Sequence, residues 1–171
     1  VITKHAFSYC NQLKKITFES SPEEVSPEAF SGSKALQSFV INNKNGKYYV
    51  ENNHLINSET KTIVRGIPNQ TIPNDIVAIG DYAFSSYDTL TELTLPESVK
   101  TIGAYSFASC KNLTSIHLTS VKDINEGALE YCASLVTLDM PKVENIGEDA
   151  FYGVESLETI TINNTSKKRN Y

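Results

Sequence analysis

A 22- or 23-residue repeat constrains this chain more than any other feature. The segment IGDYAFSSYDTLTELTL begins at Ile79, and equivalent segments occur on both sides of it. Their first residues are Ile2, Val25, Ile79, Ile102, Ile124 and Ile146. One such unit is too short to bury its apolar face alone, so stacked units must share a continuous core. The chain is therefore predicted to form a solenoid.

The columns of this alignment predict what each repeat contributes to the solenoid. An aromatic column holds Phe7, Phe30, Phe84, Phe107, Leu129 and Phe151. A leucine column holds Leu13, Leu36, Leu90, Leu113, Leu135 and Leu157. The L-x-x-L-x-L stretch alternates at its end, which is typical of a short strand with one buried face. The A-F-x-x-C stretch instead predicts one helical or 3₁₀ turn. The predicted fold class is α/β: a right-handed solenoid with parallel strands on one face and short helical or 3₁₀ turns on the other.

The full pattern P-x-x-V-x-x-I-G-x-x-A-F-x-x-C-x-x-L-x-x-I-x-L resembles the BspA-like leucine-rich repeat, also called the Treponema pallidum type. Its best copies are residues 96–118 and 141–162. The departures are Leu129 for Phe, Asn125 for Gly, and Ser33, Tyr87 and Val154 for Cys. The resemblance implies a leucine-rich repeat solenoid and a bacterial or protist surface protein that adheres to host proteins.

We expect a single domain over residues 1–171, with an insertion between its second and third repeats. The predicted repeats are about 1–18, 19–41, 72–95, 96–118, 119–140 and 141–162, with an insertion at about 42–71 and a tail at 163–171. Asn52 and Asn53 lie between two β-rich segments and predict a type I′ β-hairpin turn. A third strand is predicted at 62–65. The insertion is either a structural elaboration or a dedicated binding element. Because no capping repeat is visible, the chain is predicted to be a fragment of a longer array.

Charge and composition exclude several classes of function. A net charge of -5 argues against a nucleic-acid binder, which needs an excess of Lys and Arg. No apolar segment approaches the roughly 18 residues of a membrane span, so no direct membrane insertion is expected. No signal peptide is recognisable.

The reactive side chains do not form a catalytic or metal-binding pattern. Cys10, Cys110 and Cys132 share one column of the repeat and are interpreted as buried thiols. A disulfide between Cys110 and Cys132 is the alternative, although neighbouring coils usually hold Cα atoms too far apart. His5, His54 and His117 lack metal-ligand spacing. We therefore predict no catalytic residue, no metal and no cofactor.

The residues between the strand core positions are predicted to line an exposed face. The candidate binding residues are Glu92, Thr94, Ser115, His117, Thr137, Asp139, Thr159 and Thr161. His117 and Asp139 should be neighbours on parallel strands and could hydrogen-bond, or form a surface pair of little energetic value. The alternative is that Ser and Thr simply suit an exposed sheet. Tyr48, Tyr49 and His54 are candidate contacts in the insertion, and Tyr82, Tyr87 and Tyr105 are further aromatic candidates.

These observations predict a non-enzymatic protein–protein interaction module. By resemblance, the partner is a protein ligand such as a host extracellular or cell-surface protein, and the location is extracellular or the cell surface. The alternative is a structural spacer within a larger surface protein, with no ligand of its own.

Overall fold

The computed structural model describes residues 1–43 and 45–162. Over these ranges the chain forms a β-solenoid of about six turns. The strands are β1 (Lys15–Ser20), β2 (Ser38–Asn43), β3 (Tyr48–Glu51), β4 (His54–Asn57), β5 (Thr62–Arg65), β6 (Ala78–Ile79), β7 (Glu92–Thr94), β8 (Thr101–Ile102), β9 (Ser115–His117), β10 (Asp123–Ile124), β11 (Thr137–Asp139), β12 (Asn145–Ile146) and β13 (Thr159–Thr161). The predicted parallel strands are confirmed.

The coils of the last four repeats contribute strands to two sides of the solenoid, whereas the first two repeats, as far as the structure describes them, have only the isolated bridge between Ile2 and Val25 on the second side. The L-x-x-L-x-L strands pair in parallel as β1 with β2, β7 with β9, and β11 with β13. The two-residue strands β6, β8, β10 and β12, each of which ends at an isoleucine, belong to a second sheet. In that sheet Ile79 lies opposite Ile102. That sheet has seven strands in the order β12-β10-β8-β6-β5-β4-β3. The repeat pattern had predicted one parallel sheet, because only the longer apolar alternation is recognisable in the sequence.

The insertion extends this second sheet. β3 and β4 pair antiparallel, with Glu51 opposite His54, so Asn52 and Asn53 form a two-residue turn. Their φ values of 47° and 65° are those a type I′ turn requires. β5 occupies the position predicted for the third strand; it pairs antiparallel with β4 and parallel with β6. The insertion therefore continues the wall of the solenoid instead of projecting from it.

The side opposite the L-x-x-L-x-L strands is made of turns, and the expectation of a helical side is not confirmed. In the described ranges one 3₁₀ helix, Pro27–Phe30, is present. The other repeats place residues with positive φ at two positions, four residues apart, which interrupts a right-handed helix. These pairs are His5 and Tyr9, Tyr82 and Ser86, Tyr105 and Ser109, Gly127 and Tyr131, and Asp149 and Gly153.

The backbone hydrogen bonds of these turns explain why no helix forms. The Ala83 N–H donates within its own turn to Gly80 O (3.2 Å), whereas the Phe84 N–H donates to Ser106 O of the next coil (2.7 Å). Alternate amides thus connect neighbouring coils, which a helix would not allow. In the second repeat, Pro27 favours the 3₁₀ helix because its ring fixes φ near the helical value.

The core consists of the apolar columns stacked coil on coil. The rings of Phe84 and Phe107 stack at 5.3 Å between centroids, and those of Phe7 and Phe30 at 5.6 Å. Leu113 is fully buried, as the leucine column predicts. Because equivalent side chains of neighbouring repeats pack against each other, every repeat buries its apolar residues in the same way. The core residues therefore specify the fold, and the outward-facing positions are free to vary.

Arg65 joins the insertion to the repeats before and after it. Its side chain is 1% exposed, and its guanidinium lies 4.3 Å from the Tyr87 ring centroid. It donates to the carbonyl oxygens of Tyr82 (2.9 Å), Ser85 (3.4 Å) and Ser33 (3.3 Å). The buried cation is thus held by backbone oxygens and an aromatic face.

Candidate interaction surface

The predicted binding residues of the strand face come together on one surface. Thr94 lies opposite His117 in the β7–β9 pair, and Asp139 lies opposite Thr161 in the β11–β13 pair. β9 and β11 are also in contact. All eight candidate residues are exposed except Ser115, which is half-buried. Leu93, Ile116 and Leu138 between them are buried, whereas Ile160 of the last coil is exposed, so the first three of these strands present a polar outer face over a buried apolar one.

His117 and Asp139 are exposed on neighbouring strands, but they do not form the hydrogen bond considered for them. Among the described residues, neither side chain has a hydrogen bond or ion pair. Their polar atoms are therefore available to a partner without a competing internal contact.

Two of the insertion residues are buried, which corrects the expectation that they contact a partner. Tyr48 is 4% exposed, and its hydroxyl accepts a hydrogen bond from the Val25 N–H (3.1 Å). His54 is fully buried; its Nδ1 accepts from the Ile67 N–H (3.0 Å), and its Nε2 lies 3.2 Å from Thr71 O. This geometry fits the neutral ring with its proton on Nε2. Burial lowers the pKa of His54 to about 4.

The sequence could not show this burial because the insertion does not follow the repeat columns. Tyr49 is the candidate that stays accessible: it is half-buried, with the Lys61 ammonium 5.4 Å from its ring centroid. Tyr87 is also removed from the contact surface, because it is fully buried and its hydroxyl donates to Leu36 O (3.3 Å).

The turn side carries a row of tyrosines, of which the sequence singled out only part. Tyr82 and Tyr105 are half-buried and stack at 5.3 Å. Tyr9, Tyr131 and Tyr152 are exposed by 72%, 46% and 56% and had not been proposed. Tyr9 and Tyr131 have positive φ, a property of the backbone that the columns of the repeat do not show.

The cysteines are not placed for chemistry. The Cys110 and Cys132 thiols are buried and free; they donate to Phe84 O (3.1 Å) and Phe107 O (3.2 Å). Burial raises the pKa of Cys110 to about 12 and also raises the pKa of Cys132. Such thiols stay protonated and unreactive at neutral pH. In the described part of the chain, no three His, Cys, Asp or Glu residues form a group that could hold a metal ion.

A groove of about 320 Å³ crosses the outer face of the seven-stranded sheet. Its floor includes Gly80 and Gly103, and Tyr48 and Asn57 of the insertion lie among its walls. The Asp81 carboxylate at its edge accepts a hydrogen bond from the Ala104 N–H (2.7 Å). This carboxylate is thus already used to hold two coils together.

Comparison with known families agrees with the repeat architecture. The family model described as BspA type leucine rich repeat region matches residues 1–64 and 64–171, in six copies. The chain belongs to this BspA-type family. Leucine-rich repeats are a general protein-interaction or scaffold fold, and they do not by themselves identify a ligand. No curated protein matches this chain in sequence.

Several solved structures share the fold of this BspA-type chain. A leucine-rich cell surface protein from Faecalibacterium prausnitzii has a TM-score of 0.75 and 21% identity, covering 91% of this chain and 49% of that one. The pneumococcal vaccine antigen PcpA has a TM-score of 0.63 and 18% identity, covering 88% and 51%. A leucine-rich repeat protein from Bacteroides ovatus has a TM-score of 0.62 and 23% identity, covering 94% and 40%.

This BspA-type chain spans about half the length of these proteins, or less. At these identities the likeness shows the fold alone. Within residues 1–43 and 45–162, none of the helical structure has the length and apolar character that a membrane crossing requires.

Proposed function

We propose that this chain is a non-enzymatic interaction module of a cell-surface or secreted protein that binds another protein, with adhesion to a host protein as its role. The observation that carries the proposal is the exposed strand face. Hydroxyl, carboxylate and imidazole groups lie side by side there on β7, β9, β11 and β13. Such a surface offers hydrogen bonds to an extended partner without a deep pocket.

The composition of this face suits a weak or multivalent interaction. It lacks the Trp, Tyr and Arg residues that usually dominate tight interfaces. Repetition compensates for that lack, because several similar coils can bind several similar features of one partner at high effective concentration. The F. prausnitzii protein with the same fold is described as a cell surface protein, which supports the proposed location.

A structural spacer is the second candidate. The feature that favours it is the absence of an aromatic anchor from the strand face, which β7, β9, β11 and β13 form. A spacer needs only a rigid, soluble surface of this kind.

Binding of the chain to immobilised human extracellular-matrix proteins, measured by biolayer interferometry, tests the proposal. Thr137→Arg places a bulky cation in the centre of the strand face and is expected to abolish binding. Ser156→Arg is the matched control, because it adds the same side chain at an exposed position outside the face. If the chain binds no more strongly than an unrelated solenoid, the spacer is favoured. If both variants lose binding equally, the strand face is excluded as the binding surface.

A further inference from the structure

Tyr131 and Tyr152 form an exposed aromatic pair on the turn side of the last two repeats. Their ring centroids are 5.4 Å apart and their planes lie at 82°. The Tyr131 N–H donates to Tyr152 O (2.7 Å), which fixes the two backbones relative to each other. The Tyr131 ring also lies against Gly153, where a Cβ atom would overlap it. The rings are thus held in position while their other faces stay open to solvent.

The surroundings of this pair are strongly acidic. Residues 119–162 carry nine Asp and Glu residues and two Lys residues, although the whole chain has a net charge of only -5. One of those lysines, Lys122, is paired with Glu144 at 2.8 Å. Desolvation, Tyr152 and the nearby Glu130 and Asp149 carboxylates together raise the pKa of Tyr131. The local field therefore favours a positive charge next to these rings.

We propose that Tyr131, Tyr152, Glu130 and Asp149 bind a lysine- or arginine-rich segment of a partner protein. A cation attracted by the two carboxylates would lie against the open faces of two tyrosine rings, where cation–π attraction adds to the ionic one. Ordered tyrosines also provide contact area at little entropic cost. The inference rests on the proposed interaction role but concerns a surface on the opposite side from the strand face.

The first repeat contains a natural control for this surface. Tyr9 occupies the same column as Tyr131, is 72% exposed and lies on Gly32 in the same way. The charged residues that line the groove beside it are Lys34, Lys111 and Asp88, and Asp88 is paired with Lys34 at 2.9 Å. The two lysines outnumber the single carboxylate there, so Tyr9 provides an exposed ring on a glycine without an excess of negative charge.

The test uses a fluorescent peptide of alternating Lys and Ser, titrated with the chain at physiological salt and followed by anisotropy. Replacing both rings (Tyr131→Ala with Tyr152→Ala) should weaken binding roughly tenfold, the product of two exposed cation–π contacts. The double Phe variant keeps the aromatic faces and should bind within about threefold of the parent. Tyr9→Ala should leave the affinity unchanged.

Charge is tested separately by Asp149→Asn with Glu130→Gln. Asn suits position 149 because the φ of Asp149 is 53° and Asn tolerates positive φ. The double variant should bind the peptide more weakly, and its affinity should depend less on the salt concentration. Circular dichroism establishes that each variant is folded. The inference is overturned if the parent does not bind the peptide, if the double Ala variant binds as tightly as the parent, or if Tyr9→Ala weakens binding equally.

The outcomes also separate this inference from the proposed function. Thr137→Arg, on the strand face, should leave peptide binding intact. Loss of peptide binding in the parent with matrix binding preserved would refute the aromatic surface alone. Peptide binding without any binding to matrix proteins would refute the proposed adhesive role alone.

Discussion

The insertion is joined to the solenoid by a close contact between Gly66 and Phe84. The Phe84 side chain is fully buried, 5.3 Å from the Phe107 ring and 6.0 Å from the His54 ring. A Cβ atom at residue 66 would overlap the end of the Phe84 ring. The backbone cannot easily withdraw, because the Gly66 N–H donates to Ala83 O at 2.8 Å. Gly66→Ala must therefore displace a packed aromatic ring.

We expect Gly66→Ala to lower the free energy of unfolding by about 1–3 kcal/mol, the usual effect of overpacking a core. Phe84→Leu removes the ring carbons that the new methyl group would strike and should by itself cost roughly 1.5 kcal/mol. In the double variant much of the clash is gone, so its loss should be smaller than the sum of the two by at least about 1 kcal/mol. Urea unfolding followed by circular dichroism measures all four proteins of the cycle.

Phe151→Leu provides the matched control. Phe151 belongs to the same column as Phe84 but lies in the last repeat and is only half-buried. Its combination with Gly66→Ala should be additive within about 0.5 kcal/mol. The reasoning is refuted if Gly66→Ala leaves stability unchanged, or if it combines additively with Phe84→Leu.

Three further perturbations test the core. Burial lowers the pKa of His54 in the folded chain to about 4 from 6.5, so between these pH values only the unfolded chain binds a proton at this residue. The free energy of unfolding should therefore fall by about 3 kcal/mol as the pH drops from about 6.5 to 4. Urea titrations should show that His54→Gln loses this pH dependence. Iodoacetamide at neutral pH should modify half-buried Cys10 before buried Cys110, as measured by mass spectrometry. Leu113→Asp should cost several kcal/mol in thermal melts, because it places an unpaired charge in a fully buried site, whereas Thr114→Asp at the exposed neighbour should cost far less.

Much of the fold could be predicted because repetition makes core positions recognisable. The leucine and aromatic columns identified Leu113 and Phe84 as core, and the structure buries both. The asparagine pair at the hairpin turn was recognisable for a different reason: few residues adopt the two positive φ values that the turn requires. In each case a local physical requirement restricts the residue type.

The unpredicted features depend on contacts between segments that share no pattern. Nothing in the sequence marks Arg65 as buried, since an arginine in a β-rich segment normally points to solvent; its burial depends on carbonyl oxygens from two different repeats. The same holds for His54, whose partners Ile67 and Thr71 lie in an irregular segment. On the strand face, the sequence identified which residues are exposed but not what they bind.

One part of the turn surface does leave a trace in the sequence. Tyr9, Tyr105 and Tyr131 each precede a glycine by 22 or 23 residues, and each ring lies on that glycine in the next coil. The pairing has a steric cause: a tyrosine at a position of positive φ lays its ring across the next coil, and a Cβ there would overlap it. A tyrosine and a glycine one repeat apart thus indicate a ring packed against the next coil on the turn side. The charges around each ring then decide what kind of partner it can accept: Lys34, Lys111 and the paired Asp88 surround Tyr9, whereas the Glu130 and Asp149 carboxylates lie near Tyr131.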